Sequence, residues 1–168
     1  MLGKKNEFSK MQSISSLIRE RPDAAAHIKG SCDYPGLDGC VWFYNTSCGT
    51  LVAAEVYGLP DACGECGDKF FGFHIHEGDC CSGTKENPFQ DAGGHFNPDD
   101  CNHPHHAGDL PPLMGNRGYA LQIFLTGRFC VREIIGRTVI IHANPDDFTS
   151  QPSGNSGKMI ACGQIRAY

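Results

Sequence analysis

Imidazole is the commonest transition-metal ligand among side chains, and this chain concentrates it. Of its eight histidines only His27 lies outside residues 74–142. In FHIH (73–76), strand alternation sends His74 and His76 to one face, about 7 Å apart along the backbone. Two imidazoles at that spacing can converge on one ion, although an isolated His-x-His more often only meets water. Here the neighbours decide. AGGHFNPDDCNHPHHAGD (92–109) adds His95, His103, His105, His106 and Asp109 among turn-forming Gly and Pro residues. A loop dense in imidazole and closed by a carboxylate is a common way to build a zinc site. TVIIHANPDDF (138–148) adds His142 near a strand end, with Asp146 and Asp147 behind it. Six or seven histidines exceed the four ligands of one zinc, so two ions are expected, and all-nitrogen ligation makes copper a strong candidate.

The elements that must hold these residues read as strands. CVWFYNT, TLVAAEVYGL, FFGFHIHE, GYALQIFL and TVIIHA are short β-rich runs bounded by Gly, Pro, Asp and Asn. In GYALQIFL, the residues Tyr119, Leu121, Ile123 and Leu125 share one face, the period of a half-buried strand. With no long helical run between them, the strands predict an antiparallel sandwich or barrel. Residues 77–117 are the exception: little strand character, many polar signals. A loop of that length is usually functional. Before Pro22, the residues Met11, Ile14, Leu17 and Ile18 recur at helical spacing, which predicts a short amphipathic helix. The organisation expected is an N-terminal extension (1–25) followed by one domain (26–168).

Composition narrows the function. The chain has 168 residues, a formal net charge of −5 and a pI near 5.8, so the global basic footprint of a nucleic-acid binder is missing. No run approaches the roughly 20 apolar residues of a membrane span. The basic N-terminus lacks the apolar stretch of a secretory peptide. That favours the cytoplasm, whereas ten cysteines pull towards an oxidising compartment and export by a route not readable here.

In this order, GFHIHE, AGGHFNP, HAGDLP, IIGRTVIIHANPDD and GNSGKMIACG resemble the copper/zinc superoxide dismutases, with the second and third closer to the bacterial branch. The similarity runs from about residue 26 to 166. It implies an eight-stranded Greek-key β-barrel that disproportionates superoxide to dioxygen and hydrogen peroxide. It assigns His74, His76, His95 and His142 to copper. Zinc takes His95, His103, His106 and Asp109, with His95 bridging the two ions as an imidazolate. Asp146 becomes the carboxylate linking a copper histidine to a zinc histidine, and His105, without a counterpart, is read as a solvated loop residue. Family members are often homodimers.

The chain departs from the family in two places. The family's GNxGxRxACG carries an arginine that guides the anion, and here Met159 stands there, after Lys158. Guidance is then absent or falls to Lys158, Arg128 or Arg132, and a slower, less salt-sensitive enzyme is expected. The family disulfide from loop to last strand implies Cys162 paired with Cys80 or Cys81, the bacterial spacing favouring Cys81. Of the other cysteines, Cys32, Cys40 and Cys48 lie on or beside early strands. Cys63 and Cys66 form a CGEC that reads as a local disulfide or free thiols. Cys101 is a candidate extra thiolate ligand, and Cys130 is read as a buried apolar residue. The surplus thiols and the missing arginine sustain one alternative, a copper-storage protein on the same fold with weak dismutase activity.

Overall fold

The computed structural model describes residues 16, 19–61 and 69–168. The amphipathic N-terminal run falls almost entirely outside these, as do Cys63 and Cys66. Among the described residues nine strands occur in chain order: β1 (Ala24–Gly30), β2 (Asp38–Thr46), β3 (Gly49–Tyr57), β4 (Lys69–Phe71), β5 (Phe73–His76), β6 (Leu113–Gly115), β7 (Tyr119–Thr126), β8 (Thr138–His142) and β9 (Met159–Ala167). Seven of them form one antiparallel sheet in the order β5-β8-β9-β1-β2-β3-β7, and β4 pairs with β6. The sheet curls around a core built from Ile28, Val41, Phe43, Val52, Phe71, Phe73, Ile75, Val139 and Ile165.

The expected eight strands become nine because one is broken at Gly72. That residue leaves the ladder to accept from the His142 N–H and to donate to the Asn144 carbonyl. A Cβ there would press on the Ser156 side chain at 2.8 Å. The break tilts the His74–His76 stretch onto β8, with His74 opposite Ile140 and His76 opposite Thr138.

One sequence expectation is completed by the structure and one is corrected. On β7 the apolar set Tyr119, Leu121, Ile123 and Leu125 points outward, and Leu121 is 60% exposed. The smaller set on the other face, Ala120 and Phe124, meets the core. Alternation identified two faces but not which one the barrel closes over. Cys130 is exposed rather than buried. It caps the short helix α1 (Val131–Ile134), its N–H donating to Glu133 Oε2 at 2.6 Å, while Phe129 and Val131 on either side take the core positions.

Residues 77–117 do form a long excursion, interrupted by a 3-10 turn at Gln90–Ala92 and by β6. It is not loose. Ile75 donates to Gly108, Phe96 donates to Ile75, and Glu77 donates to Gly94, so the loop runs beside β5 as a further pairing partner. The Cys81–Cys162 disulfide ties its start to β9 across 81 positions.

Candidate metal centre

Seven side chains converge from three parts of the chain. β5 supplies His74 and His76, and the end of β8 supplies His142. The long loop supplies His95, His103, His106 and Asp109. Isolated bridges pair His76 with His95 and His74 with Asp109, so the loop reaches the strand in register. All seven are buried. Their ligand atoms fall into two sets, His74, His76, His95 and His142 in one and His95, His103, His106 and Asp109 in the other, each set lying within 4.8 Å. His95 is common to both.

Hydrogen bonds select which ring nitrogen faces each set. His76 Nδ1–H donates to the Gly93 carbonyl at 2.8 Å and His142 Nδ1–H to the Gly157 carbonyl at 3.2 Å. Their Nε2 atoms then turn inward, 3.3 Å apart. His74 Nε2–H donates to Asp146 Oδ2 at 2.7 Å, which leaves His74 Nδ1 for the first set. His103 Nε2–H donates to Asp146 Oδ1 at 2.9 Å, which leaves His103 Nδ1 for the second. Asp146 therefore spans the two sets from behind. A partner behind the ring is what orients a ligand imidazole. His95 presents Nδ1 to Asp109 at 2.7 Å on the second side and Nε2 to the first.

The leftover atoms point the same way. His74 Nδ1, His95 Nε2 and His103 Nδ1 are buried without a hydrogen bond. Orphaned buried nitrogens are costly and rare, and all three are those left aimed into the two sets. The donor sets, four imidazoles on one side and three imidazoles with a carboxylate on the other, suit copper and zinc respectively.

Electrostatics keeps these groups in ligand form. Burial pushes His76 well below the ordinary imidazole range, helped by His142. Burial and the nearby His74 bring His142 down to about 3. His74 is also lowered by burial, against the pull of Asp146. For Asp109, burial acts upward, but the His95 hydrogen bond and three neighbouring histidines win and leave it at about 2.

Comparison with known proteins agrees with this geometry. The family described as copper/zinc superoxide dismutase (SODC) matches residues 37–165. The chain belongs to that family. It is 38% identical to superoxide dismutase [Cu-Zn] 2 of Aquifex aeolicus over 137 residues, covering 72% of this chain and 74% of that protein. It is 36% identical to superoxide dismutase [Cu-Zn] of Deinococcus radiodurans over 147 residues, 77% of each. It is 34% identical to the extracellular superoxide dismutase [Cu-Zn] of Schistosoma mansoni over 143 residues, 76% of this chain and 72% of that protein.

The remaining candidates are placed as follows. Within this family fold the disulfide uses Cys81, and Cys80 is an exposed thiol accepting from Ser82. His105 is exposed, and Cys101 is exposed and outside both ligand sets. Met159 packs against Phe89, Ala92, Ile140 and Cys162, while Lys158 is exposed beside it. Arg132 is exposed on α1. Arg128 is otherwise engaged: its Nη1 donates to the carbonyls of Pro104, His106 and Asp109 and so braces the loop that carries His106 and Asp109. The bracing arginine and the orienting carbonyls of Gly93 and Gly157 had no sequence signal, since a backbone acceptor carries no residue type.

Proposed function

We propose that this chain disproportionates superoxide to dioxygen and hydrogen peroxide, with copper held by His74, His76, His95 and His142 and zinc by His95, His103, His106 and Asp109. The observation carrying the assignment is His95, one buried ring offering a nitrogen to each set, with Nε2 unpaired. Bound copper would supply a one-electron redox couple, and zinc a fixed positive charge and loop order. The protein's own part is positional. Gly93, Gly157 and Asp146 fix the rings, and His95 has an Nε2 able to hold or release a proton while Nδ1 stays engaged. The long loop keeps all seven ligands dry.

The test is metal analysis of the purified protein with an assay of superoxide disproportionation. One copper and one zinc per chain with turnover supports the reading. Copper well above one per chain with negligible superoxide consumption would instead select copper storage, the reading favoured by the exposed thiols. We also propose a homodimer. The facing, half-exposed pair Phe70 and Met114 on β4 and β6 supports it, and sedimentation checks it.

A further inference from the structure

Away from the two buried sets, one outward row of the barrel wall also carries ligand-type side chains. Register places His27 of β1 opposite Cys40 of β2, and Cys40 opposite Glu55 of β3. Asp38 lies two positions before Cys40 and so shares its face. The neighbouring row of Ala25, Trp42 and Ala53 holds no such group. His27 is exposed and Cys40 half-buried. Both line a surface groove together with Trp42, Gln164, Arg166 and Tyr168.

The contacts in this row form a chain. The Cys40 thiol donates to His27 Nδ1 at 3.5 Å. His27 Nε2 faces Asp38 Oδ1 at 3.7 Å, and Lys29 holds the other carboxylate oxygen. A carboxylate behind the far nitrogen is what orients a metal-binding imidazole. The proton between sulfur and nitrogen thus occupies the place that an ion would take. Burial, with the carboxylates of Asp38 and Glu55, raises the Cys40 thiol above its ordinary range against the pull of Lys29. Those carboxylates, which disfavour a bare thiolate, favour a cation in the proton's place. Arg166, a further cation of the groove, has its Nε engaged by Gln164 at 3.2 Å. Among the described residues, groups of three or more ligand atoms occur only in the two buried sets. Two donors fall short of the four that zinc takes. Copper(I) is satisfied by two, and soft thiolate selects it.

We propose that Cys40 Sγ and His27 Nδ1 bind one copper(I) ion on the outer wall of the barrel, at a site separate from the two buried sets. The S–H bond breaks, sulfur gives its electron pair to copper, and the proton leaves to water, with no change of oxidation state. Asp38 is the positioning residue for His27.

Trp42 is the only tryptophan in the chain. It stands two positions from Cys40 on the same face, about 7 Å along the strand, so its emission reads the site. The metal-loaded full chain is titrated anaerobically with copper(I) set by a chelator buffer. Emission should fall along a single-site curve. Cys40→Ser should abolish the fall. His27→Ala should move its midpoint to at least about tenfold higher free copper(I). Buried copper and zinc content should be unchanged in both. Cys48→Ser, which removes an exposed thiol from the β2–β3 turn, should leave the curve as it is. No saturable fall in the parent overturns the proposal, as does a fall that survives Cys40→Ser. An unmoved midpoint in His27→Ala also overturns it, since the thiol would then capture copper alone. If Cys40→Ser costs buried metal, His27→Ala, at an exposed position, decides by itself. Before copper is added, Cys40 should react with iodoacetamide no faster than Cys48; a faster reaction assigns the pair to nucleophilic chemistry and overturns the copper site.

Discussion

On the proposed assignment His142 tells the two metal positions apart, because it belongs to one of the two sets alone. In His142→Ala, copper content should collapse while zinc stays near one per chain, with activity falling by more than about 100-fold. Equal loss of both metals would contradict the division. Asp146 behaves differently, since it orients His74 on one side and His103 on the other. Asp146→Asn should weaken both metals by about 10–100-fold, as orienting partners do, measured by competition with chelators. The depressed imidazole values set the acid limit of the metal-free protein. His142 binds a proton in the folded chain only near pH 3, but near 6.5 when unfolded. The stability it contributes is complete above about 6.5 and is lost as pH falls towards 3. His76 acts in the same direction, and Asp109 adds a further loss between 3.8 and about 2. Thermal melts of the metal-free chain should therefore decline steadily below pH 6.5; a flat profile down to pH 4 would refute this.

At the scale of the element, the loop around Asp146 depends on a backbone without a side chain. Gly154 sits at a φ of +66°, and a Cβ there would collide with the Asp146 carboxylate and approach His103 Nε2 at 2.7 Å. Gly154→Ala should displace Asp146 and lower zinc and copper retention together, although neither residue type is a ligand. The long loop is held at its start by Cys81–Cys162 and braced near His106 by Arg128. Closing some eighty residues limits the disulfide's contribution to about 4–5 kcal/mol. Cys81→Ser should drop the melting temperature under oxidising conditions, whereas Cys80→Ser should leave it unchanged. Strand existence was readable from alternation for β2, β3, β5, β7 and β8. Which face turns inward was not, as β7 demonstrates: Leu121 and Leu125 carry the larger apolar surface but lie outside. Alternation reports two faces, and the closure of the sheet chooses between them.

Over the whole molecule, charge is the governing term for an anionic substrate. The chain carries −5, and the position of the family's guiding arginine holds Met159, packed against Phe89 and Cys162, with Lys158 the exposed cation next to it. Weak guidance of superoxide is expected, so raising salt from 0.01 to 0.15 M should change the rate by less than about twofold. Met159→Arg should raise the low-salt rate several-fold and make it fall as salt increases; a steep decline already present in the parent would show another guide at work. The residues that gather into the two candidate sets, His74, His76, His95, His103, His106, Asp109 and His142, were identifiable from residue types in order, because metal chemistry demands those types and tolerates few substitutes. So were five of the strands, and the family resemblance supplied the pairing candidates for Cys162. The tertiary structure alone decided that Arg128 braces the loop through three carbonyls, that Gly93 and Gly157 aim two of the rings, and that Tyr44 and Leu51 are buried. Each of these depends on backbone groups or on surfaces brought together from distant strands, and no residue type announces a carbonyl's direction or a sheet's closed side.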